Sequence, residues 1–226
     1  MHGLPRVNFG HFCARHAAAL RGGAAVLAAM PGRGENSCRN AALFLLGRAR
    51  LLESMASLCR GVPAGAVCDV SVLCKCAGQA VSGACIRRDL RPAVQQIGIP
   101  LPVAGSPRTL LPAVLSLVRC AMRCGPGPVL CCRADKGRAV LRIRSCGGGC
   151  SAPPDQLALA CARLLATCGG GQFLRICSPA GGFDVCLILP LCPGAACCPL
   201  PAPEALLRDR YSPLFTQLAG LCIPPD

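Results

Sequence analysis

PDQLALACARLLATCGGGQFLRICSPAGGFDVCLILP, residues 154–190, alternates helix, glycine turn and strand in an order that points to a mixed α and β domain. Its apolar residues recur at helical spacing from Pro154 to Thr167, and Cys168-Gly169-Gly170-Gly171 ends the run. Residues 172–177 and 183–189 read as short strands on either side of Pro179-Ala180-Gly181-Gly182. Working upstream, Val129–Arg133 and Arg138–Arg144 flank Ala134-Asp135-Lys136-Gly137 as a hairpin. Ser106 caps a helix that opens on Pro107 and runs to about Arg123, with Pro112 expected to kink it. Residues 73–86 read as a helix, and Val67–Val72 and Leu90–Gln95 as strands. Mixed α and β therefore begins beyond a linker, Gly61-Val62-Pro63-Ala64-Gly65.

The chain ahead of that linker has a different rhythm. Phe9, Cys13, His16, Leu20, Gly23, Leu27 and Met30 alternate spacings of four and three over residues 8–30, which is a bundle seam. Pro31-Gly32-Arg33-Gly34 breaks the helix. A second helix follows over 37–60, with Leu45, Ala49, Leu52, Met55 or Ala56, and Cys59 on one face. Two helices around a short turn form an antiparallel hairpin, and a lone hairpin leaves both seams exposed. Dimerisation into a four-helix bundle is the natural burial. The predicted fold class is α+β: residues 1–62 a helical-hairpin dimerisation module, 66–192 a two-layer α/β sandwich, and 193–226 a Pro/Cys-rich tail with one short helix near 203–209.

Composition narrows the function. At 226 residues and 53% hydrophobic, the chain has room and apolar content for a packed core. Its longest strongly apolar stretch, Val185–Leu191, is far shorter than the ~20 residues a membrane helix needs. Pro5, Arg6, Asn8, His11 and Arg15 interrupt any signal-like apolar segment, so a cytoplasmic location without membrane contact is expected. The 21 cysteines sit largely where Val, Ala or Ser would serve, and no CxxC occurs. The histidines are His2, His11 and His16, and Cys120/Cys124, Cys146/Cys150 and Cys192/Cys197/Cys198 lack good ligand spacing, so no metal site is expected. The net charge of +14 admits phosphate or acidic partners. Nucleic acid is disfavoured, because six Phe, one Tyr and no Trp leave little for base stacking.

The order hairpin, linker, α/β domain resembles the catalytic half of sensor histidine kinases, over about residues 8–192. Asn8-Phe9-Gly10-His11-Phe12-Cys13-Ala14-Arg15-His16 is similar to the family's phosphoacceptor box, with His11 at the phosphoacceptor position. Phe12 stands where an acid usually follows and His16 where a Pro is usual. With Phe9 and Cys13 on the seam, His11 points outward, while His16 falls on the seam as a packed histidine. The helix after Ser106 resembles the one that carries the family's N box: Ser116 takes the earlier polar position, Cys120 replaces the metal-binding Asn, and Arg123 keeps the cation. Ile143 to Gly149 resembles the Asp-x-Gly-x-Gly box, with Ser145 for the adenine-reading Asp and with Gly147 and Gly149 retained. Helix, strand and strand over Leu157–Pro190 follow the end of the kinase ATPase domain, but Gln156-Leu157-Ala158-Leu159 occupies the place of a glycine-rich box.

The resemblance implies a two-component signalling protein with degenerate nucleotide motifs. It would act as a histidine phosphotransferase or a non-catalytic dimeric regulator, with a homodimer partner and a response-regulator receiver domain. ATP and Mg²⁺ binding is expected to be weak or absent, because a thiol at Cys120 is a poor ligand for a hard cation. The alternatives are an active kinase with divergent boxes and a cysteine-rich metal or redox protein.

Overall fold

The computed structural model describes residues 6–30, 35–61, 65–96, 98–145, 154–176 and 182–225. Small side chains build the N-terminal hairpin of α1 (Arg6–Ala28) and α2 (Glu35–Cys59). Gly10, Cys13, Ala17 and Ala24 are the buried residues of α1. A Cβ on Gly10 would stand 3.1 Å from that of Cys59, and one on Gly23 would stand 3.6 Å from Leu45, so the two helices approach closely. Arg21 ties the far side, donating to both carboxylate oxygens of Glu53 at 2.6 and 2.8 Å.

The packed series on α1 is thus rotated from the expected one. Ala17 takes the place of His16 against α2, and Ala24 is buried beside Gly23, because the helices close in most where the side chains are smallest. His16 is exposed; its ring lies 3.9 Å from that of Phe12, and its Nδ1 lies 2.9 Å from the Phe12 carbonyl. Phe9, Leu20, Gly23 and Leu27 on α1, and Leu45, Leu52 and Cys59 on α2, remain half-buried.

Beyond the hairpin, β1 (Val67–Asp69) is shorter than the predicted strand. Asp69 ends it by capping α3 (Val70–Ala84): its carboxylate accepts from the Ser71 N–H at 2.8 Å and the Leu101 N–H at 3.0 Å. A 3₁₀ turn at Arg88–Leu90 leads to β2 (Ala93–Gln96), and β3 (Pro102–Ala104) pairs antiparallel with β1. Helix α4 (Pro107–Cys124) starts at Ser106 as expected and contains Pro112. Then come β4 (Val129–Asp135), β5 (Arg138–Arg144), α5 (Gln156–Cys168), β6 (Gln172–Arg175) and β7 (Asp184–Pro190). The β4–β5 turn is Lys136-Gly137, with φ of 45° and 74°, a two-residue turn whose twist suits a hairpin.

These strands form a mixed sheet in the order β2-β4-β5-β7-β6, with β2 parallel to β4 and the other pairs antiparallel. One face is buried, with Leu130 and Cys132 of β4, Leu141 and Ile143 of β5, and Val185, Leu187 and Leu189 of β7 joining α3, α4 and α5 in one core. The other face carries Cys131, Arg133, Arg142 and Ile188 and lies open. This is a two-layer sandwich. Leu51, Met55 and Leu58 of α2 enter the same core, so the hairpin is seated on the helical layer.

The C-terminal segment is more ordered than expected. Besides α6 (Pro203–Arg208) it holds α7 (Pro213–Gln217), whose Leu214 and Phe215, with Leu218 beyond it, are among the most buried side chains. Cys222 then pairs antiparallel with Cys85, beyond the end of α3. The five-residue α7 was illegible because so short an apolar stretch carries no period to detect.

Candidate functional site

His11 follows Gly10 on α1, and one residue turns an α-helix by about 100°. Gly10 faces α2, so His11 projects to solvent, as expected. Its imidazole has no hydrogen-bond partner among the described residues. Phe12, at the place of the family's acid, is also exposed, at 46%.

Ser116 and Cys120 lie one turn apart on α4 and are both buried. The Ser116 hydroxyl donates to the Ala113 carbonyl at 2.7 Å, so it is spent within its own helix. Burial pushes the Cys120 thiol up to about 11 and keeps it protonated at neutral pH. Arg123, in the last turn of α4, is exposed. Ser145 directly follows β5; its N–H donates to the Phe183 carbonyl at 2.8 Å, and its Oγ accepts from the Phe183 N–H at 3.1 Å. Its hydroxyl thus extends the β5–β7 ladder. Gly147 and Gly149 lie outside the described residues.

The residue missed from the sequence is Asp155. It caps α5, its carboxylate accepting from the Leu157 and Ala158 N–H groups at 3.0 and 3.3 Å. The same carboxylate pairs with Arg48 of α2. Close by, Arg119 of α4 donates to the Gln217 carbonyl at 2.9 Å and stacks 5.1 Å over Phe44 of α2, and burial pushes its guanidinium down. The signal for Asp155 was present: an Asp immediately before an apolar helical run is a cap.

The structure thus gathers Cys120, Asp155, Arg48 and Arg119 where α2, α4 and α5 meet. His11 stands apart on the hairpin, and Ser145 lies at the end of the sheet. Helix N-termini bind anions because their N–H groups are unpaired and the helix dipole is positive there. At α5 two of those N–H groups already hold a carboxylate. The Ser116 hydroxyl is donated within its own helix and Cys120 presents a protonated thiol, a poor ligand for a hard cation. Among the described residues no group of three His, Cys, Asp or Glu side chains could hold a metal ion. Likewise, no described helix is long and apolar enough to cross a membrane.

No protein-family model matches the chain, and no curated protein matches it by sequence. Solved structures do. Full-length ShkA in complex with AMPPNP superposes at a TM-score of 0.51 with 14% identity, over 84% of this chain and 46% of ShkA. The likeness is one of fold. It places the hairpin and the two-layer sandwich in the histidine-kinase arrangement, although the chain spans only about half the length of ShkA. The Acinetobacter baumannii histidine kinase AdeS aligns over 80% of this chain and 96% of its own, at 13% identity and a TM-score of 0.46. The cytoplasmic segment of the histidine kinase QseC aligns over 72% and 99%, at 16% identity and 0.45.

Proposed function

We propose that the chain is a two-component signalling protein in which His11 accepts and passes on a phosphoryl group, while nucleotide binding is weak or lost. The observation that carries this reading is an exposed, unpartnered histidine on the first helix of a hairpin seated on a histidine-kinase-like sandwich. A receiver domain would bring an aspartyl phosphate and its Mg²⁺. An unprotonated ring nitrogen of His11 attacks phosphorus, forming a P–N bond as the P–O bond to the aspartate breaks. The carboxylate leaves with the bonding pair, and the proton stays on the other ring nitrogen. Positioning and charge stabilisation supply nearly all the catalysis in such transfers, so an ATP site is not needed for this exchange.

The half-buried strip of Leu20, Leu27 and Leu45 supports a homodimer through the hairpins. Weak nucleotide binding is supported by Cys120 at the metal position, Ser145 at the adenine position, and Asp155 on the N-terminus of α5. Losing one charged hydrogen bond to adenine costs about 1.5–3 kcal/mol, or about one to two decades of affinity. A cytoplasmic location fits this role. A second reading, a self-phosphorylating kinase with divergent boxes, draws on the exposed Arg123.

One experiment separates them. The full chain is titrated with ATP, with and without Mg²⁺, and then mixed with radiolabelled phosphorylated receiver domains from the same genome. Label on the wild type and none on His11→Ala, with no Mg²⁺-dependent nucleotide binding, supports the proposal. A micromolar, Mg²⁺-dependent affinity promotes the kinase instead. If no receiver labels His11, the chain is a non-catalytic dimeric scaffold.

A further inference from the structure

Away from His11 and from the Asp155 cluster, a cleft opens between α2 and α4. One cavity, about 370 Å³, is lined by Arg50, Glu53 and Ser57 of α2, by Arg108 and Thr109 of α4, and by Pro213 at the start of α7. A second space of about 400 Å³ shares Ser57, Arg108 and Thr109 and reaches Gly105 and Ser106 at the N-terminus of α4. The two are joined through the same side chains.

Arg50 makes the cleft unusual. It is half-buried, and its one side-chain hydrogen bond is a donation to the Thr216 hydroxyl at 2.9 Å. Among the described residues no carboxylate lies within 4.0 Å of Arg50 or Arg108. Of the nearby acids, Glu53 gives both oxygens to Arg21, and Asp209, which accepts from the Tyr211 N–H at 2.8 Å, acts on Arg50 only from beyond ion-pair distance. Loss of hydration pushes the Arg50 guanidinium down and outweighs the pull of Asp209 and Glu53, neither of which comes within ion-pair distance. Burying a charge is costly unless it is paired, and one neutral hydroxyl leaves most of the guanidinium's five donors open. Ser57 lines both spaces, and its hydroxyl has no partner among the described residues. The positive end of α4 points the same way.

We propose that this cleft binds the phosphate of a phosphomonoester, with Arg50 and Arg108 as its cationic clamp. Two guanidiniums on one cavity match a dianion better than a single carboxylate, and the planar fork of Arg suits phosphate oxygens. The volume lies at the lower end of ligand pockets, which fits a small phosphorylated molecule or a phosphorylated side chain. This site does not depend on His11, so the two proposals stand or fall separately.

The test uses the full chain and calorimetric titration with inorganic phosphate and glycerol 3-phosphate, with acetate as competitor. Saturable binding that Arg50→Gln and Arg108→Gln each weaken at least tenfold supports the site, provided the exposed Arg175→Gln on β6 and His11→Ala bind as the wild type. Arg108 is exposed in the first turn of α4, so its variant retains the fold and keeps the test decisive if Arg50→Gln destabilises the protein. A short phosphoserine peptide that binds more tightly than glycerol 3-phosphate assigns the phosphate to a partner chain; the reverse order assigns it to a small molecule. The proposal is overturned by the absence of saturable binding at millimolar phosphate, by equal weakening in Arg175→Gln, or by acetate competing as well as phosphate.

Discussion

Gly47→Ala and Gly22→Ala are the same substitution in the two helices of the hairpin, and the structure gives them opposite signs. In a helix interior, Ala is favoured over Gly by about 1 kcal/mol. Gly22 on α1 has nothing within 4 Å of an added Cβ, so its variant should gain about 0.5–1 kcal/mol. A Cβ on Gly47 of α2 would lie 2.2 Å from the Thr216 carbonyl oxygen and 2.9 Å from its carbon. Both are backbone atoms and cannot rotate aside, so α7 must retreat. The retreat breaks the Gln217 Nε2 donation to the Gly47 carbonyl and the Arg50 donation to Thr216, each 2.9 Å long. Those bonds are worth about 1 kcal/mol apiece, and the overpacking costs about 1–3 kcal/mol more. Against the gain of about 1 kcal/mol, Gly47→Ala should lose roughly 2–4 kcal/mol, a fall in Tm of roughly 4–16 °C for a chain of this size. Chemical denaturation followed by far-UV circular dichroism, at one protein concentration for all variants, measures both. Equal stability of the two variants would refute the seating of α2 on the C-terminal segment.

Three further outcomes are expected. The thiols of Cys68, Cys161 and Cys222, pushed up by burial to about 12, and that of Cys120, pushed up to about 11, hold protons in the folded chain that the unfolded chain releases from about pH 9. Stability should therefore be fully present below pH 9 and fall above it, by about 1.4 kcal/mol per pH unit for each thiol; a denaturation midpoint that stays flat to pH 10.5 contradicts this. Asp155→Ala removes a helix cap and the partner of Arg48, and should cost about 1–3 kcal/mol. A double-mutant cycle with Arg48→Ala should show coupling between the two, and strict additivity would mean that the pair contributes nothing. Leu20→Glu, on the half-buried strip of α1, should shift the protein from dimer to monomer in sedimentation, and a wild type that is monomeric at every concentration would sink the dimer.

Periodicity, caps and turn residues placed every long helix, the β4–β5 hairpin and the strands β6 and β7, since a helix or strand of several turns or pleats writes its buried face into the sequence. The outward placement of His11 was legible for the same reason: it follows from its offset from Cys13 along one helix. Which neighbouring residues of α1 meet α2 was not legible, because Ala17 and His16 differ by a third of a turn and only the facing helix selects the smaller one. Ser145 could be placed at a strand end, but its pairing with Phe183 joins residues 38 apart and exists only in the sheet. The site where Arg48 of α2 meets Asp155 bridges 107 positions of the chain, and the bond from Arg50 to Thr216 bridges 166. No local pattern encodes such distances. Sequence determined the elements and their order; the packing of α2 and α7 on the helical layer decided which polar groups meet, which are spent on the fold, and which face solvent unpaired.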